Sequence, residues 1–292
     1  MERISLFCFA ASYAVSLGLD GLAVWRGNPV FWSWPGAVSW LRGGAWLMAM
    51  AGLVAHSLYL WTWQPPLAWQ FGGLLVLAWF LAVFAVYERS HPGRISWSMF
   101  LLPLVLGLVG VATLIGPPAP SDGRIPGLFS TGSLQFWNTL HGVLLLAASV
   151  VLSLAFIASL MFLIRARQLR YKLAPGRGLS LFTLEGLETM NKRLIAVAFP
   201  LLSIGMGLGA GLLFVHASKL DGLYDPRVLA AMGLWITFLV LFGLRYGARF
   251  RGSVMAWMTI CAWIILVVCL LLPHTLPTGP RDASPSAGVL AP

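Results

Sequence analysis

The sequence predicts an all-α fold: a polytopic transmembrane helical bundle of about eight helices, with both termini on the non-cytoplasmic side. Three observations carry that expectation. Apolar residues fill 59% of the 292 positions and charged residues only 10%, whereas soluble chains carry about 25% charged residues. Several apolar runs approach or exceed the roughly 20 residues that cross a hydrocarbon core. The basic residues, finally, gather at alternate ends of those runs.

Taken in order, the spans read approximately as 4–24, 44–63, 67–88, 97–116, 136–164, 194–216, 227–246 and 253–272. Fourteen of the 19 basic residues then fall on one face, among them Arg26, Arg42, Arg89, Arg165, Arg245 and Arg251. The other five, Arg3, Arg124, Lys219, Arg227 and Arg281, fall on the opposite face. The positive-inside rule assigns the first set to the cytoplasm. The net charge of +10 is therefore mostly topology, and it points to the lipid bilayer with its anionic headgroups as partner and to no nucleic acid.

The first run, Ile4 to Trp25, lacks a net-positive start and a small-residue cleavage pattern, so it reads as a membrane helix and not as a signal peptide. Asp20, placed near its outer end, reads as an interfacial helix-end residue or one that faces protein. No linker separates two domains, so residues 1–292 form one integral membrane domain. It carries a Pro/Gly/Ser-rich external loop at 117–135, a basic cytoplasmic loop at 165–193 and an external tail at 273–292 expected to be disordered. Trp32, Trp34, Trp40, Trp61, Trp63 and Trp69 cluster near span ends, as interfacial aromatics do. Cys8, Cys261 and Cys269 lie in apolar runs without a CxxC pair, which excludes a thioredoxin-like motif and covalent haem attachment within this chain.

Motifs for familiar chemistry are missing. The chain has no Walker loop, no HExxH and no Ser/His/Asp grouping, and the deep membrane positions lack the ionisable groups that coupled transporters use. Histidine is the residue type left to consider. Of five, His91 falls in the cytoplasmic ERSHPGR turn and reads as a solvated loop residue. The other four map to the external half: His141 opening the fifth helix, His216 closing the sixth, His274 following the eighth, and His56 inside the second, toward its outer side. Each taken singly reads as structural. Taken jointly they suit bis-histidine ligation, in which two imidazoles approach opposite sides of one planar cofactor.

The stretch LHGVLLLAASVVLSLAFIASLMFLIRARQLRYK, followed by ETMNKRLIAVAFPLLSIGMGLGAGLL, resembles the membrane core of the cytochrome c assembly family (the CcsA/CcmC/HemX-like haem-handling proteins). The resemblance covers residues 135–274, and residues 40–116 more loosely; its most specific part is ETMNKRLIAVAFPLLSIGMGLG. It implies haem b, held non-covalently at an external platform by two histidines on flanking helix ends and offered to apocytochrome thiols. His141 matches the first of these histidines and His274 falls where the second stands; His216 is a spare candidate, and His56 resembles the ligand of a second, intramembrane haem position. The family's tryptophan-rich motif is degenerate here: GLYDPRV keeps Tyr224, Asp225, Pro226 and Arg227 without the flanking tryptophans. Gly243 stands near the place of the family's seventh-helix histidine.

Two functional readings follow from that resemblance. In the first the chain binds or presents haem at the outer membrane face during cytochrome c maturation, as part of a haem lyase (cytochrome c synthetase) system, with apocytochrome c and a second biogenesis membrane protein as partners. Arg227, Lys219 or Arg124 would meet the propionates. In the second it is a non-catalytic HemX-like membrane regulator or structural subunit. The resemblance implies a bacterial inner membrane in either case.

Overall fold

The computed structural model describes residues 2–26, 35–63, 70–90, 97–116, 133–171, 183–216, 226–247 and 252–272. Eight helices follow one another: α1 (Glu2–Arg26), α2 (Pro35–Trp63), α3 (Gln70–Arg89), α4 (Ser98–Ile115), α5 (Ser133–Arg170), α6 (Leu184–His216), α7 (Pro226–Gly247) and α8 (Gly252–Leu271). Among the described residues there is no strand, as expected where lipid offers no partner to an open backbone. Seven helices are long and apolar enough to cross a membrane. The apolar part of α7, Val228–Leu244, sits at the short end of the ~17–25-residue range. An even number of crossings returns the chain to its starting side, and the charge bias makes that side non-cytoplasmic.

The helices pack as two groups of four, α1–α4 and α5–α8, with α5 and α8 against α3. One core joins Phe9 and Tyr13 of α1 to Leu74, Leu77 and Leu81 of α3, and to Leu101 and Val105 of α4. It continues into Leu154, Ile157 and Met161 of α5. The second core gathers Ala148, Leu152 and Ala155 of α5 with Ile195 and Ala198 of α6, Phe238 of α7 and Leu266 of α8. Helix α5 thus supplies one face to each core, which explains why it is apolar nearly all round.

Helices α5 and α6 are longer than the spans read from the sequence. At 1.5 Å per residue the 38 residues of α5 run about 57 Å, against a hydrocarbon core of about 30 Å. Most of the basic segment 165–193 is therefore helical: Arg165, Arg167 and Arg170 continue α5, and α6 begins at Leu184. RARQLR contains only good helix formers, and arginines favour a helix C-terminus. The Thr183 hydroxyl accepts from the Gly186 N–H at 3.1 Å, a side-chain cap that starts α6. At the other end α5 opens at Ser133, inside the expected external loop, so His141 lies two turns within the helix and does not open it.

Asp20 needs a second correction. It forms an ion pair with Arg89, a residue at the end that the charge bias assigns to the cytoplasm, so it belongs to the inner end of α1. The Arg89 guanidinium also donates to Ser16 Oγ at 2.9 Å, to the Ala45 carbonyl at 3.0 Å and to Ser98 Oγ at 3.0 Å. Ser98 Oγ donates to Asp20 at 3.1 Å. One arginine on α3 thus ties α1, α2 and α4, and both charges are nearly buried. In apolar surroundings a charge is retained when it is paired and hydrogen-bonded throughout.

Tryptophans outside the belt group named above serve a different role. Trp40 and Trp61 are exposed, as belt residues are. Trp79, however, donates to Ser57 Oγ at 2.9 Å, Trp235 to Ser203 Oγ at 3.0 Å and Trp263 to Ser153 Oγ at 3.1 Å. These bonds join α3 to α2, α7 to α6 and α8 to α5.

Removing one partner of the Asp20–Arg89 pair leaves the other charge stranded, at a cost of about 3–5 kcal/mol. Asp20→Ala and Arg89→Met should each lower the thermal midpoint of the detergent-solubilised protein sharply, and the double variant should lose much less than their sum. Additive losses in that cycle would show that the pair does not act as a unit.

Candidate functional site

The outer half of the α5–α6 contact is built around two glycines. A Cβ on Gly205 would lie 2.9 Å from Leu145 Cδ2, and one on Gly209 would lie 2.5 Å from His141 Cε1. Gly205 and Gly209 form a small-xxx-small step, which lets two membrane helices approach closely. Into that space the His141 ring inserts, with Nδ1 2.7 Å from the Gly205 carbonyl oxygen. A carbonyl only accepts, so Nδ1 carries the proton and donates. Nε2 then holds the lone pair, and the hydrogen bond described for this ring is made by Nδ1. The ring is half-buried. A neutral imidazole held through one nitrogen with the other open is the arrangement that metal-ligating histidines adopt.

The setting is apolar and aromatic. One turn outward on α5, Trp137 is 46% exposed and packs edge-on against Phe136 with ring centroids 5.6 Å apart. Its position four residues before His141 puts both side chains on one stripe of the helix. Sequence reading passed over Trp137 and Gly209. The available signals were the FWNTLH spacing and the GMGLG run, which in the sequence looks like generic small-residue packing.

Helix rise relates the other histidines to His141. His216 ends α6 seven residues beyond Gly209, about 10 Å further along the axis, so it does not share His141's level. Helix α8 is registered on α5 by the Trp263–Ser153 bond and by stacking of Trp263 on Phe156 at 4.2 Å. Counting outward from that level, Leu271 lies about 12 Å up α8 and His141 about 18 Å up α5. Helix α8 thus ends roughly one turn short of His141, and His274 follows three residues later in sequence. His274, Tyr224 and Asp225 lie outside the described residues, as do Lys219, Arg124 and His91. Arg227 stands in the first turn of α7.

His56 lies elsewhere, in the α1–α2–α3 group. Its ring is 0% exposed and stacks on Phe9 at 4.2 Å with an interplanar angle of 2°. Tyr13 Oη lies 3.5 Å from Nδ1, a long contact, and Gly52 makes room for the Tyr13 ring, since a Cβ there would fall 2.8 Å from it. Nε2 makes no hydrogen bond of ordinary geometry and faces the Leu75 backbone. A porphyrin could reach that nitrogen only if α2 and α3 parted. Gly243 on α7 is exposed, and a Cβ there would meet no neighbouring element within 4 Å. The two histidines differ in setting: the His141 ring is half-buried at the outer α5–α6 contact, and the His56 ring is fully buried against Phe9.

No family model matches the chain, and no solved structure matches it. Curated relatives do. The protein named cytochrome c biogenesis protein CcsA from Guillardia theta is 26% identical over 234 residues, covering 73% of this chain and 75% of that protein. The protein of the same name from Synechococcus sp. (strain CC9902) is 25% identical over an alignment of 308 positions, covering 95% of each. A third from Chlamydomonas reinhardtii is 23% identical, covering 77% of this chain and 64% of that one.

Substituting His56 by leucine removes an imidazole nitrogen that has no partner in an apolar core, so the cost of losing the ring contacts is offset. His56→Leu should fold with a thermal midpoint close to that of the unaltered protein. A severe loss of stability would instead give the ring a polar role that its surroundings do not supply. The likeness to curated relatives runs along almost the whole chain and coincides with a bundle of eight helices whose long α5–α6 pair carries His141; the chain is similar to the cytochrome c biogenesis proteins named CcsA.

Proposed function

We propose that this chain is a membrane component of cytochrome c maturation that binds haem b non-covalently at the outer membrane face, where His141 and His274 would hold the iron. The observation that carries the reading is the bond from His141 Nδ1 to the Gly205 carbonyl, which leaves the ring's lone pair on Nε2. The three relatives described above carry a name that specifies cytochrome c biogenesis, and the same process is assigned here. When bound, haem supplies the vinyl groups to which apocytochrome thiols add.

The chain's own contribution is positional. His141, two turns inside α5, and His274, after α8, would hold the iron near the outer interface, where Trp137 offers an aromatic wall. Arg227, Lys219 or Arg124 would meet the propionates with charge-assisted hydrogen bonds. Tyr224 and Asp225 would remain as remnants of the platform loop, with His216 in reserve beyond His141. Little acid–base chemistry is asked of the protein, because holding reactants in register accounts for most of the rate. Apocytochrome c and a second biogenesis membrane protein are the partners of this haem lyase system, and the site is assigned to a bacterial inner membrane.

A second reading, a HemX-like regulator or structural subunit, draws on the missing tryptophans of GLYDPRV and on the basic end of α5. There Arg165, Arg167 and Arg170 project on a helix, with the Arg167 guanidinium 5.8 Å from the Tyr171 ring centroid.

The two readings diverge in measurement. Purified protein should show a Soret band and sharp reduced α/β bands, and His141→Ala or His274→Ala should remove most of the haem in a pyridine haemochrome assay. Unchanged haem in both variants would sink the ligand assignment. For the regulator, reversing the charge at Arg165, Arg167 and Arg170 should abolish co-purification of the partner complex; intact partner contact with unaltered topology would count against it.

A further inference from the structure

We infer that Gly205 and Gly209 are positioning residues for the haem ligand: the Gly205 carbonyl sets the tautomer of His141, and the absent side chain of Gly209 admits its ring. The inference rests on the proposed ligation of iron by His141 and adds how α6 prepares that histidine. Two independent features of the contact support it. The 2.7 Å approach of Nδ1 to a carbonyl oxygen admits only the Nδ1–H form, since two lone pairs would otherwise meet. In an α-helix that carbonyl already accepts from the amide four residues on, and its second lone pair is free for the imidazole. The ring also fills the volume a Gly209 side chain would take, with His141 Cε1, Nδ1 and Nε2 at 2.5, 3.0 and 3.3 Å from the Cβ position.

The consequence is chemical. An imidazole free in water distributes its proton over both nitrogens, and either could present the lone pair. Seated on Gly205, His141 offers Nε2 alone, in a rotamer already paid for by helix packing, so ligation needs neither proton transfer nor reorientation. The adjacent glycines of the same run serve as internal controls. Gly207 and Gly211 have nothing within 4 Å of a Cβ, so an alanine at either changes the helix without touching the ring.

The first test uses haem-free full-length protein in detergent micelles, labelled with ¹⁵N-histidine, with His141→Gln assigning the resonances. Above the titration range of the ring, His141 Nδ1 should show the pyrrole-type shift and Nε2 the pyridine-type shift. Gly209→Ala should displace that pattern toward the opposite tautomer or a mixture, while Gly207→Ala should keep it. Added haemin then reads the functional arm: affinity should fall roughly 10–100-fold in Gly209→Ala and stay unchanged in Gly207→Ala. An Nε2–H tautomer in the unaltered protein overturns the inference without needing any variant, as does a Gly209→Ala protein with the unaltered shifts and affinity. Failure of the unaltered protein to bind haemin, with the Nδ1–H tautomer present, would instead overturn the ligation on which the inference rests.

Discussion

The close approach of α5 to α6 is the contact on which the remaining architecture depends. In lipid the apolar surface gains little from leaving one oily environment for another, so helices associate through packing and interhelical hydrogen bonds. Gly205 and Gly209 supply the first outward of the midplane, where Leu145 and His141 fill the space of absent side chains. Asn191 supplies the second inward, donating to Ser159 Oγ at 2.6 Å and to the Ala155 carbonyl at 3.2 Å. With α6 fixed at both ends, α5 is free to present Leu154 and Ile157 to one core and Leu152 to the other. Loosening that pair would move both cores and the candidate ligand together.

The polar groups inside the bundle divide by what they satisfy. Serine hydroxyls on α2, α5 and α6 receive the three tryptophan N–H groups that point inward, which turns bulky amphipathic side chains into interhelical ties. Arg89 does the same with charge, reaching α1, α2 and α4 from the end of α3. Each such group is held by protein because lipid offers no alternative partner. The nitrogen left over on His141 differs from that on His56 in one respect that matters. The first lies at a half-buried outer position beside exposed aromatics, and the second is sealed under Phe9.

Most of the fold is written in composition and charge order, because bilayer thickness converts apolar length directly into helix number. The eight spans and the alternation of arginines needed no tertiary information. What pattern could not supply was how far helices run past the membrane, since RARQLR and LEGLETMNKR are charged yet strongly helical. The pairing of Asp20 with Arg89 was equally illegible. It joins positions 69 residues apart, and a charged residue near a span end has a cheaper reading as an interfacial one. The indole–serine ties of Trp79, Trp235 and Trp263 were likewise invisible, for a tryptophan inside a span carries no mark of its partner.

The site shows the same limit more sharply. A histidine in FWNTLH could be placed near the outer end of a helix by counting, but its tautomer depends on a carbonyl 64 residues away. Conversely His56, which resembles a ligand in sequence, is enclosed by its own neighbours once α1 and α3 are in place. The eroded GLYDPRV loop and the ordered His141 seat therefore bear on different parts of one task. Holding iron requires only an imidazole of the right tautomer and a second ligand across the plane, whereas presenting a porphyrin edge to a partner's thiols draws on the loop. Loss of tryptophans from the loop alters the surface that presentation would use and leaves the His141 seat where α5 and α6 put it.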